Sequence, residues 1–62
     1  MRKYMLVYTV DPENDLTNVT FFNVLRGALA YYEFLFDQDR TDAEVYERKT
    51  VDGIRQYVKM DL

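Results

Sequence analysis

The chain contains no cysteine, histidine, serine or tryptophan, and only two glycines and one proline in 62 residues. Each absence excludes something. Without cysteine there are neither disulfides nor thiolate metal sites. Without histidine the commonest zinc ligand and the commonest general base are missing. The usual acyl-transfer nucleophiles, serine and cysteine, are missing too. Gly27 and Gly53 stand far apart, so there is no glycine-rich phosphate loop. No apolar run nears the ~20 residues of a membrane-spanning helix. The start, Met-Arg-Lys-Tyr-Met-Leu-Val-Tyr, has the charge order of a signal peptide, but its apolar stretch ends at Asp11 without a small-residue cleavage site. It reads better as a strand. Asn18-Val19-Thr20 matches a glycosylation acceptor, a chance match when no secretion signal accompanies it. Together these readings predict a stand-alone cytoplasmic protein that is not an enzyme, holds no metal or cofactor, and stays out of membranes.

What is present is aromatic and acidic. Six Tyr and four Phe make 16% of the chain, enough to build a core and still furnish a contact surface. Residues 1–62 are expected to form a single domain. A chain this short buries only about 60% of the surface its unfolded form exposes. Natural proteins of this size add disulfides, a metal or a second subunit. With the first two excluded, a homodimer is expected. A net charge of −3 argues against duplex DNA as the partner.

The patterning predicts an α+β fold. Lys3 to Val10 is β-branched and aromatic, with Tyr4, Leu6, Tyr8 and Val10 on one face and Met5, Val7 and Thr9 on the other. A strand apolar on both faces belongs at the centre of a sheet or under cover on both sides. Asp11 to Asp15 is a turn, and a second strand runs from Leu16 to Phe22. Asn23 reads as the N-cap of a helix from Val24 to Asp37. At 100° per residue its core stripe is Leu25, Leu29, Tyr32 and Phe36, widened by Val24, Ala28 and Leu35. A polar connection, Gln38 to Asp42, leads to an alternating segment starting at Ala43. Asp52-Gly53 is a type I′ hairpin signal, followed by a last strand from Ile54. The expected architecture is ββαββ, an antiparallel four-stranded sheet with one helix packed on one face.

Most chemical motifs fail on inspection. Asp11, Glu13 and Asp15 have the spacing of a calcium loop, but Leu16 stands where glycine is required and Phe22 where glutamate is. Asp37, Asp39, Asp42 and Glu44 form a second acidic run, unfavourably placed after a helix C-terminus. We read both as solvated connections. Two surfaces are harder to explain away. Gly27, Tyr31 and Phe34 lie on a helical ridge beyond the core stripe, where glycine costs about 1 kcal/mol of propensity against alanine. The ridge is the first candidate interface, for a second subunit or a partner helix. In the final hairpin, the Asp52-Gly53 turn sets Tyr46 opposite Lys59 and Arg48 opposite Tyr57, with Arg55 on the same face. Those five residues are the alternative binding face, a stacking platform for single-stranded nucleic acid, or else the face on which two sheets pack in a dimer. The expected function is a homodimeric protein-protein interaction module that regulates or inhibits a larger protein of unknown identity. Accessory proteins of phages and mobile elements are of this kind, although no residue carries that attribution.

Overall fold

The computed structural model of the chain describes residues 2–40 and 42–62. Met1 lies outside them, as does Thr41 of the expected polar connection. Five elements follow one another: β1 (Tyr4–Asp11), β2 (Leu16–Phe22), α1 (Leu25–Asp37), β3 (Glu44–Val51) and β4 (Ile54–Lys59). The strands form one antiparallel sheet in the order β2-β1-β3-β4. The fold is therefore the expected ββαββ α+β architecture. Strand β1, apolar on both faces, takes one of the two central positions.

Both hairpins follow from local chemistry. Asp52 and Gly53 have φ of 53° and 81°, the positive pair that a type I′ turn demands. The β1–β2 turn is held by Asp11, whose carboxylate accepts the Glu13 amide at 3.1 Å and the Asn14 side-chain amide at 2.6 Å. Asp15 closes that turn at φ 56°. One extra residue, Val10, bulges where the register slips between Thr9 and Asp11.

The helix departs from expectation at its N-terminus and in its roll, while its last residue is the expected Asp37. Its N-cap is Val24, with extended dihedrals of −125° and 134° and no side-chain cap; Asn23 is one residue too early to serve. Its C-terminus is a Schellman motif. The Asp39 amide bonds the Phe36 carbonyl at 3.1 Å and the Arg40 amide bonds the Leu35 carbonyl at 2.8 Å. Asp39 occupies the left-handed position at φ 62°, where glycine is usual.

The buried core is Tyr4, Leu6, Ala28, Leu35, Ala43 and Val45, with Leu6, Ala28 and Val45 fully inaccessible. Tyr8, Phe22, Leu25, Tyr31, Tyr32 and Met60 pack around it. The expected stripe thus turns by roughly 70° about the helix axis on a 100° spacing. Phe36 and Val24 are exposed, at 55% and 58%, and Leu29 is half-buried. Ala28 and Leu35 are the helix residues buried in the core, and this roll carries Tyr31 over Tyr8 and Phe22.

The connection into β3 also secures β1. Strand β3 pairs with β1 only from Tyr4 to Val7. Beyond that, the Thr9 amide donates to the Asp42 carboxylate at 2.7 Å, and the Arg40 guanidinium reaches the Thr9 and Val10 carbonyls at 3.4 Å. Side chains thereby replace the missing strand along that edge. Part of the acidic run is used internally.

Candidate interaction surfaces

Strand alternation decides which residues lie away from the helix. With Tyr4, Leu6 and Tyr8 beneath it, Met5, Val7 and Thr9 point to the opposite face. The registers add their neighbours. Phe21 lies beside Met5 and Val19 beside Val7 on β2, while Tyr46 flanks Met5 and Glu44 flanks Val7 on β3. Lys59 then pairs with Tyr46, and Tyr57 with Arg48. The result is an apolar strip, Val19, Phe21, Met5, Val7 and Tyr46, crossing three strands, with no further element over it among the described residues. Val19 and Phe21 remain 44% and 42% exposed. At one end the Phe21 and Tyr57 rings approach to 6.2 Å between centroids, and the Tyr57 hydroxyl donates to the Arg2 carbonyl at 2.7 Å. Aromatics from the two edge strands therefore meet above the inner pair.

The basic residues expected on this face are not all available to a ligand. The Lys59 ammonium sits 2.7 Å from a Glu44 carboxylate oxygen, and the Tyr46 hydroxyl donates to the other oxygen at 3.4 Å. Lys59 holds the Glu44 carboxyl below its ordinary range, and Glu44 in turn raises the Lys59 ammonium. Arg55 is exposed beside Thr50. The hairpin register matches the expected one residue for residue, but Lys59 is engaged by a carboxylate.

The helical ridge is split by the roll of α1. Tyr31 stands edge-on to Tyr8, with centroids 6.3 Å apart, and the two hydroxyls approach to 3.4 Å. The Asn18 side chain also donates to the Tyr8 hydroxyl at 3.0 Å. Hydrogen bonding from Tyr31, then from Asn18, favours the Tyr8 phenolate and lowers its pKa, while the same Tyr8 bond raises that of Tyr31. Tyr31 is thus fastened to the sheet. Phe34 stacks on its outer side at 6.1 Å and 10°, and is 56% exposed. At Gly27 an added Cβ would lie 3.4 Å from the Phe22 ring, so the group that approaches this glycine belongs to the chain itself.

Sequence reasoning passed over Met5, Val7, Val19 and Phe21. The signal was there in β1, whose two apolar faces call for two covers while the chain has one helix. A shallow recess of ≈310 Å³ lined by Tyr32, Glu44, Lys59, Met60 and Leu62 lies at the far end of the sheet. Its carboxylate Glu44 is the one already paired with Lys59. Among the described residues there is no group of three or more potential metal ligands, and no helix is long and apolar enough to cross a membrane.

No protein-family model, curated protein or solved structure matches this chain.

Proposed function

We propose that this chain is a cytoplasmic, non-enzymatic protein-binding module, self-associating and acting on a larger protein through the open face of its sheet. The observation that carries the reading is the uncovered strip of Val19, Phe21, Met5, Val7 and Tyr46, bordered by Thr9, Thr17 and the Glu44–Lys59 pair. A contiguous apolar patch with a polar rim is the surface expected of an interaction site. The exposed Phe34 ring, backed by Tyr31, is a second anchor on the opposite layer. A regulator that blocks or steers its target by occupying a surface needs no more chemistry than this.

The alternative is a platform for single-stranded nucleic acid built on Tyr46, Arg48, Arg55, Tyr57 and Lys59. The β3–β4 register favours it, since it sets aromatic and basic side chains side by side. The Glu44 carboxylate among them opposes it. Affinity purification from the native host separates the two. The protein reading predicts a co-purifying polypeptide that withstands raised salt and is lost with Val7→Lys. Recovery of nucleic acid that dissociates steeply with salt would decide for the platform instead.

A further inference from the structure

The two edges of the sheet are built differently. The Arg48 amide donates to the Lys3 carbonyl at 2.7 Å, so Lys3, Met5 and Val7 direct their backbone groups towards β3. By alternation Tyr4, Leu6 and Tyr8 bond β2, through their partners Phe22, Thr20 and Asn18. The N–H and C=O groups of Thr17, Val19 and Phe21 therefore point outward from the sheet. Of these, the Phe21 carbonyl receives a long 3.4 Å contact from the exposed Arg2 guanidinium. On the other edge, the Met60 amide donates to the Val45 carbonyl at 2.8 Å, so the even residues of β4 bond β3 and the groups of Arg55, Tyr57 and Lys59 face outward.

Natural sheets protect an edge with charge, proline, shortness or cover. Strand β2, Leu-Thr-Asn-Val-Thr-Phe-Phe, carries no charge and no proline over seven residues. We propose that β2 pairs antiparallel with β2 of a second copy, joining the two sheets into one continuous eight-stranded sheet about a two-fold axis at Val19. The outward residues are symmetric about Val19, so a single register uses all of them. It sets Val19 opposite Val19 of the second copy and Thr17 opposite its Phe21, with two N–H···O bonds in each opposed pair. Every pairing in it is uncharged. The same construction on β4 is symmetric about Tyr57 and sets Arg55 directly opposite Lys59 of the other copy, a repulsive arrangement. One edge is self-complementary and the other is not, so association closes at two copies.

Pairing through β2 places the two open faces side by side, and Val19 and Phe21 become the middle of one apolar platform. The inference rests on the self-associating reading above and names its geometry. Sedimentation equilibrium of the wild type, Val19→Lys and Val19→Glu tests it, with far-ultraviolet circular dichroism as the check on folding. The wild type is expected at twice the 7.5 kDa chain mass, each charged variant at the chain mass, and their equimolar mixture back at twice it. A dimer that persists in both variants would overturn the β2 interface and leave self-association through another surface standing. A monomeric wild type would overturn both, and species larger than two copies would replace closure with head-to-tail growth. Since the chain lacks cysteine, Val19→Cys gives an independent reading. Its oxidation is expected to yield a disulfide-linked dimer, whereas Tyr57→Cys on the other edge stays single; the reverse pattern refutes the assignment.

Discussion

Asp39→Gly should stabilise the protein, by an amount that can be worked from the helix C-terminus. Asp39 is held at φ 62° because its own amide and that of Arg40 close the Schellman bonds to Phe36 and Leu35. A non-glycine residue in this conformation costs roughly 1–2 kcal/mol, with aspartate at the tolerant end. Its carboxylate also lies at the negative end of the helix dipole, unfavourable by roughly 0.3–1 kcal/mol at an exposed position. Glycine removes both penalties but returns about 0.4–1 kcal/mol through the greater freedom of the unfolded chain. The balance is a gain of about 1 kcal/mol, which in a domain of this size raises Tm by about 4–8 °C. Asp39→Asn keeps a side chain that tolerates the conformation and deletes the charge alone. Its gain should be smaller, and should fade as salt screens the dipole, while most of the glycine gain survives. Thermal unfolding followed by circular dichroism, at one protein concentration and two salt concentrations, measures both variants. A lower Tm for Asp39→Gly, or an asparagine gain that exceeds it and ignores salt, would show that this helix end is not under the strain described.

At the other end of the helix, Val24→Asp should stabilise by about 1 kcal/mol. It supplies a cap where the backbone already has N-cap geometry and where the exposed valine contributes little packing; an unchanged denaturation midpoint would count against it. The pH dependence follows from three carboxylates. Asp11 is lowered chiefly by the Asn14 amide, Asp42 by hydrogen bonds from Thr9, and Glu44 by Lys59. Groups whose folded pKa is depressed stabilise above the unfolded value and lose that contribution as pH falls through the folded one. Stability should accordingly hold near neutrality and decline below about pH 4. Lys59, raised by Glu44, has the opposite sign, so its contribution persists to high pH and disappears only above the usual lysine range. Urea midpoints between about pH 3 and pH 7 test the acid limb, and a flat profile would contradict it.

Legibility in the sequence followed the range of the interaction. The Asp52-Gly53 turn, the period-two segments on either side of it, and the helix between Phe22 and Gln38 rest on neighbours a few residues apart. All three could be read directly. The two apolar faces of β1 called, for the same reason, for a central position or for cover on both sides, without naming its neighbours. The helix N-cap was misplaced by one residue, because Asn23 has capping chemistry but Val24 has the capping backbone. Asp39 in a glycine position left no trace in propensity, since the Schellman bonds that hold it there form only once the helix ends.

The choice of candidate surface needed three dimensions. Local sequence determined that Val19, Phe21, Met5 and Val7 alternate with polar or core residues, and that Tyr31 and Phe34 share a helical ridge. It could not determine that β1 lies between β2 and β3, because strand order depends on contacts between segments distant in sequence. Nor could it set the roll of α1, which buries Ala28 and Leu35 and gives Tyr31 its partners in Tyr8 and Phe22. Those two tertiary decisions fasten Tyr31 to the core, leave Phe34 outside, and gather four apolar side chains from β1 and β2 on the face opposite the helix, which no other described element covers. Periodicity assigns a side chain to a face, and only packing decides whether that face is closed.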